Sequence, residues 1–208
     1  MLIGHAMAIS FFRIEERSVI PGGWGDYGRI LQHGMTAHAR RIGGRLALER
    51  TGPYIPPITL SLFDIVLTDE AKTLLESSGL TGFSFLPVEK KLIVELPWET
   101  WDLSAEEPPE YPESGEPEDY ILGKPHSPSA AAALGELWEV VVPFTVEILR
   151  PAPIVSSYKE LTIKLSTWDG SDLIRGREFG SILFSERARD WFSERWGEYV
   201  RFDSFPAA

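Results

Sequence analysis

The 208-residue chain contains no cysteine, which excludes a disulfide framework, a thiolate metal site and a cysteine nucleophile. Its four histidines are not spaced for a metal either. His33 and His38 lie five apart, which on a helix turns them about 140° from one another. They read as surface or loop histidines, and His5 and His126 fall in loop-like sequence. No apolar run approaches the roughly eighteen residues needed to cross a bilayer. The first residues, Met1 to Arg17, lack a basic segment ahead of their short apolar stretch, so a cytoplasmic protein is expected. Motifs of catalysis and cofactor binding are also missing. The glycines around Trp24 and Tyr27 (Gly22, Gly23, Gly25, Gly28) form neither a phosphate loop nor a dinucleotide fingerprint, and no G-x-S-x-G elbow occurs. Carboxylate pairs such as Glu15 with Glu16, or Asp169 with Asp172, arise readily by chance in a chain that is 25% charged. No cofactor, no metal and no enzymatic activity are expected.

Positive charge is absent where negative charge is densest. Between Glu99 and Gly123 there are nine acids and no Lys or Arg, and without them the net charge of −11 falls to −2. The rest of the chain is nearly neutral, which disfavours sequence-independent nucleic-acid binding and docking on anionic membranes. Residues 99–128 also collect Pro108, Pro109, Pro112, Pro117, Pro125 and Pro128, a composition that predicts an extended, solvated or poorly ordered insertion. Two readings stand side by side: an insertion whose charges keep it in water, and an acidic arm that touches a basic partner. Trp98 and Trp101 at its margin read first as anchors that pin the loop to the core, with an interface role as the alternative.

Around this insertion, strands are expected at 7–16, after Gly43 and Gly44, at 59–67, in Phe83 to Val88, at 90–98, and in two long stretches near 138–150 and 159–170. Helices are expected at 29–40, 69–78, after Ser127, and from Glu186 to Trp196, with a last strand around Tyr199 to Phe205. The proline-rich stretch from Gly52 to Ile58 reads as a connector.

Residues 67–75, LTDEAKTLL, and 184–192, FSERARDWF, share a pattern 117 positions apart. In each, a hydroxyl (Thr68, Ser185) precedes an acid, as a capped helix start requires. Ala71, Leu74 and Leu75 match Ala188, Trp191 and Phe192 as one apolar stripe, and Lys72 matches Arg189. Generic capping and packing account for much of this, whereas the shared alanine and base favour an internal duplication. The first copy continues into Gly79-Leu80-Thr81-Gly82-Phe83-Ser84-Phe85-Leu86-Pro87-Val88. Val66 to Val88 resembles a segment of bacterial immunity proteins of polymorphic toxin systems. The C-terminal copy departs from it, having Trp196-Gly197-Glu198-Tyr199 where the Gly-Leu-Thr-Gly turn would stand. The resemblance implies a non-enzymatic cytoplasmic protein that binds and neutralises a cognate toxin.

The expected architecture is therefore α+β: a single domain over residues 1–208, with a mixed or mainly antiparallel sheet, a few short helices, and two related strand-helix-strand units flanking the acidic insertion. The expected partner is a toxin protein. If that toxin is basic, the contact surface falls on Trp98, Trp101, Glu106, Glu107, Glu110, Tyr111, Glu113, Glu116, Glu118, Asp119 and Tyr120. A rival reading is an enzyme or ligand-binding protein with a pocket near Trp24, Asp26, Tyr27 and His33.

Overall fold

The computed structural model describes residues 9–20, 24–152, 157–176 and 179–208, with the backbone alone for 37–40. His5, Gly22, Gly23, the start of the first expected strand and the His38 side chain lie outside the described residues. In chain order the elements are β1 (Phe11–Glu16), α1 (Gly25–His33), β2 (Met35–Ile42), β3 (Arg45–Gly52), β4 (Ile58–Ser61), β5 (Asp64–Thr68), α2 (Asp69–Glu76), β6 (Ser84–Pro87) and β7 (Glu89–Glu95). There follow α3 (Asp119–Leu122), α4 (Pro128–Ala133), β8 (Leu137–Val141), β9 (Phe144–Val146), β10 (Ile148–Leu149), β11 (Thr162–Ile163), β12 (Leu173–Gly176), β13 (Phe179–Ser185), α5 (Glu186–Trp196) and β14 (Val200–Phe205). They form sheets of order β14-β1-β13-β12-β9, β4-β5-β8-β6, β2-β3-β7 and β10-β11. The ladders are antiparallel except β3 with β7 and β12 with β9, which is the mixed α+β arrangement expected. No helix among the described residues is long and apolar enough to cross a membrane.

Several local expectations are corrected by backbone chemistry. The helix expected at 29–40 lies at 25–33, because Gly34 leaves helical geometry at φ 66°. A Cβ there would sit 2.6 Å from the Arg50 Cβ, so the turn needs glycine. The stretch 138–150 divides into β8, β9 and β10; Pro143, which has no N–H to donate, stands between the first two. In 159–170 only Thr162 and Ile163 are strand, held between two 3₁₀ turns, although Leu161 and Ile163 are buried as their alternation implied.

The two units correspond in the structure, and the correspondence extends to hydrogen-bond register. In both copies a hairpin (β4-β5, β12-β13) runs into a helix whose first turn is capped: Thr68 accepts from the Ala71 amide at 3.3 Å and Ser185 from the Ala188 amide at 3.2 Å. In both, the return strand lies two places from the hairpin, leaving a gap that another strand fills. Strand β8 fills the first gap, with Trp138 opposite Leu67 and Pro87. Strand β1 fills the second, with Phe12 opposite Phe184 and Ser204. Leu67 with Phe184, and Pro87 with Ser204, are each 117 apart, so β1 and β8 occupy the same register. Taken in chain order, the first strand of each half completes the sheet of the other half.

The conserved spacing of the base now has a cause. The Lys72 ammonium lies 5.1 Å from the Trp138 ring, and the Arg189 guanidinium 4.1 Å from the Phe12 ring. Each copy thus clamps its borrowed strand with a cation over an aromatic. The two units meet in one core, where Leu67, Ala71 and Leu75 pack with their counterparts Phe184, Ala188 and Phe192. Each such fully buried leucine or phenylalanine contributes about 1.5–3 kcal/mol.

At one end the units are also pinned by polar groups. Asp172 Oδ2 accepts from the Thr81 amide (2.9 Å) and hydroxyl (3.0 Å), and Oδ1 from Ser185 (2.9 Å) and Arg187 Nε (3.0 Å). Burial opposes the Asp172 charge, but the bonds from Arg187, Ser185 and Thr81 outweigh it and hold the carboxyl below its usual range. Gly82 stands here at φ +92°, and a Cβ would lie 2.2 Å from the Leu173 carbonyl oxygen. The Gly79 to Val88 segment is therefore a seam between the halves, built for close backbone approach.

Because one core joins both units, Leu75→Ala and Phe192→Ala are each expected to lower stability by about 2–5 kcal/mol. In urea melts both variants should shift a single cooperative transition; a second transition in either variant would show that the halves fold separately.

Candidate functional site

Trp98 begins the acidic insertion in a 3₁₀ turn after Pro97 and is 1% exposed, with its ring 5.3 Å from Tyr54. Tyr120 and Ile121, in α3, are buried as well. The other side of this cluster comes from the glycine-rich segment: Ile20 and Trp24 are buried with them, and Tyr27 and Trp101 pack at the edge. Rings meet between the two segments, Trp24 with Trp101 at 6.0 Å and Tyr27 with Tyr111 at 4.9 Å. Polar tips then tie down the insertion's backbone. The Trp24 indole donates to the Ala105 carbonyl (3.0 Å), the Tyr27 hydroxyl to that of Gly115, and the Tyr120 hydroxyl to that of Glu110.

The stretch from Trp101 to Glu118 has no helix or strand and exposes its carboxylates, as a solvated insertion would, but side chains from elsewhere bond it to the body. Residues 98–123 are a folded lobe with its own aromatic core, which composition hid because Trp24, Tyr27 and Tyr54 arrive from far along the chain. It also corrects the expected contact surface: Trp98 and Tyr120 are inside, Trp101 and Asp119 are half-buried, and only Tyr111 is an open ring, at 46% exposure. The anchor reading of Trp98 is the one the packing supports. Outside remain the carboxylates of Glu106, Glu107, Glu110, Glu113, Glu116 and Glu118, all exposed. Among the described residues the lobe's one ion pair is Glu110 with Lys124, at 3.7 Å. The lobe is thus an acidic face on an aromatic support.

The lobe stands on a polar base that the sequence did not signal. Arg50 is fully buried and donates to the carbonyls of Thr51 (3.0 Å), Gln32 (3.3 Å) and Tyr54 (3.4 Å). Burial away from any carboxylate lowers its pKa to about 9. Gln32, also buried, accepts from the Val19 amide (2.9 Å) and donates to the Arg17 carbonyl (2.9 Å). Together they fix the end of α1 against the connector that carries Tyr54.

His33, expected at the surface, is 3% exposed on this base. Its Nδ1 accepts from the Leu60 amide at 3.1 Å, and its Nε2 lies 3.5 Å from Glu16. Burial first, then the charges of Arg50 and Arg29, lower its pKa to about 3, so it is neutral at physiological pH. Of the rival pocket's residues, Trp24 and His33 are both committed to main-chain groups, of Ala105 and Leu60, while Asp26 is exposed. His126 is exposed and accepts from the Ile93 amide at 3.0 Å. Among the described residues no three His, Asp or Glu side chains are grouped as a metal site would require.

His33 has a measurable consequence. Unfolding returns its pKa from about 3 to about 6.5, so the unfolded chain binds the extra proton and stability falls as pH drops through that window. The slope from this residue reaches at most about 1.4 kcal/mol per pH unit. His33→Gln should flatten the decline in urea-derived stability between pH 6 and pH 4, and parallel curves for variant and wild type would contradict it.

Comparison with known proteins leaves the functional reading to the chain's own residues: no protein-family model matches the chain, and a search of curated proteins finds no match.

Proposed function

We propose that the protein is an immunity-type binder that neutralises a cognate antibacterial toxin by direct protein contact, with the acidic lobe as its recognition surface and a basic toxin as its partner. The observation that carries this reading is the division of the lobe into an aromatic inside and a carboxylate outside. A solvated insertion needs no buried tryptophan and tyrosine to hold it, whereas a recognition surface gains from being ordered before it binds, because less conformational entropy is lost on association. The clustered charge supports a basic partner, since complementary potential speeds encounter and rejects acidic competitors. The similarity of Val66 to Val88 to immunity proteins points the same way. Neutralisation by contact requires no catalytic group.

The reading is tested with the protein encoded beside this one. Wild type should form a complex with it whose association rate falls steeply as salt rises. Replacing Glu106, Glu107, Glu110, Glu113, Glu116 and Glu118 by Gln leaves the aromatic core intact and should slow association by about 10-fold or more while removing most of the salt dependence. An unchanged association rate and dissociation constant in this variant would overturn the assignment of the lobe.

A further inference from the structure

The hairpin of β4 and β5 turns on two residues. Ser61 pairs with Asp64, which leaves Leu62 and Phe63 as the whole loop. The turns favoured in such hairpins have a positive φ at the first central position, where glycine, asparagine or aspartate ordinarily stands. Leu62 stands there at φ 57°, the one non-glycine residue with positive φ among the described residues. A bulky side chain in this left-handed region is strained, because its Cβ crowds the following carbonyl. Burial does not offset the strain: Leu62 is 64% exposed and Phe63 54%.

The tip is seated on the body of the protein. The Phe63 ring lies against bare backbone of β13, where a Cβ at Gly180 would meet it at 3.2 Å. Arg175 Nε donates to the Gly180 carbonyl (2.6 Å), and its guanidinium lies 5.5 Å from the ring of Phe144, itself 54% exposed. Phe63 and Phe144 therefore flank Arg175, with Leu62 beside them. The described charges around this patch are paired with one another: Arg29 with Glu16 at 2.5 Å, Arg41 with Glu139 at 2.5 and 2.6 Å, and Asp64 between Arg41 (4.0 Å) and Arg175 (3.9 Å). The patch is apolar with a neutralised rim, the opposite of the lobe, whose glutamates face outward around a single ion pair among the described residues.

We propose that Leu62 and Phe63 form an anchor that inserts into an uncharged, apolar recess of the partner protein. The inference rests on the reading of the chain as a toxin binder and adds a contact of different chemistry: the lobe sets the encounter, and the tip sets the hold. Strain at so exposed a position points to a side chain presented outward. Large apolar side chains on a two-residue turn lose little conformational entropy on binding, and interface energy concentrates in such anchors within a ring of satisfied polar groups. The paired rim selects the occupant, because a charged recess would be desolvated here with no free counter-charge to meet it. A second copy of the chain is disfavoured by the net charge of −11 that each copy carries. Helix α1 carries Tyr27 against the lobe and Arg29 on the cavity that Leu62 and Phe63 also line, so one partner can reach lobe and tip together.

Leu62→Gly keeps the turn and removes the side chain. Because glycine suits the positive φ, the urea midpoint of this variant should equal or exceed that of wild type. In complex with the protein encoded beside this one, its dissociation rate should rise about 10-fold or more, while the salt dependence of association stays as in wild type. Leu62→Asn, which also tolerates the left-handed region, should behave alike and provides the test if Leu62→Gly does not fold. A lower midpoint in both variants would make the tip structural and overturn the proposal, as would a complex that dissociates at the wild-type rate. Self-association in sedimentation, or binding to phosphatidylcholine vesicles, that both variants abolish while the complex is unchanged would assign the tip to a second copy or to a lipid surface and overturn it too. A complex that responds to the lobe substitutions and not to these removes the tip alone. One that responds to these and not to the lobe leaves the tip standing, and no wild-type complex removes the binder reading and the tip with it.

Discussion

Strand β1 completes the sheet that holds α5, and strand β8 completes the sheet that holds α2. The rest of the structure depends on this reciprocal loan. A hairpin and a helix cannot hold a return strand two places away without something between them, because the middle strand's amides and carbonyls are what both neighbours bond. Among the described residues, the strand that finishes each half's sheet comes from the other half, in the same register. The shared apolar core and the Asp172 clasp act on units already interlocked by backbone hydrogen bonds.

An interlocked scaffold can carry insertions without loosening. The segment between β7 and α4 is free to be acidic and proline-rich because it takes no part in the doubled unit, and it borrows its apolar support from Trp24, Tyr27 and Tyr54. Symmetry also explains why Arg187 and Glu70, at equivalent positions, do different work. Arg187 closes the seam of its half, and Glu70 stands exposed at the start of α2.

Much of the architecture was legible because it rests on local rules. The hydroxyl caps, the first-turn acids and the burial of Ala71, Leu75, Ala188 and Phe192 are short-range features that the structure places as expected, whereas Leu74 of the expected stripe is exposed and Trp191 half-buried. What was not legible is non-local. Lys72 and Arg189 showed only that a base recurs; that each covers an aromatic on a borrowed strand requires knowing where Trp138 and Phe12 go. The same limit hid the lobe, since a count of prolines and acids over 99–128 cannot see tryptophans that pack against it from elsewhere. His33 and Arg50 look like surface residues by type, and only the closure of α1 on β3 and β4 buries them. The Gly79 to Val88 segment carries the resemblance to immunity proteins, yet its residues serve the seam between the halves.

The most direct test of this account is native-state hydrogen exchange across the whole chain. If β1 and β8 interlock the halves, the slowest amides of both strands should exchange only through global unfolding, with the same free energy in each sheet, and the amides of Trp101 and Ile121 in the lobe should be clearly protected. Exchange of β1 through a local opening several kcal/mol below the global value, or a lobe that exchanges as fast as an unstructured peptide, would contradict it.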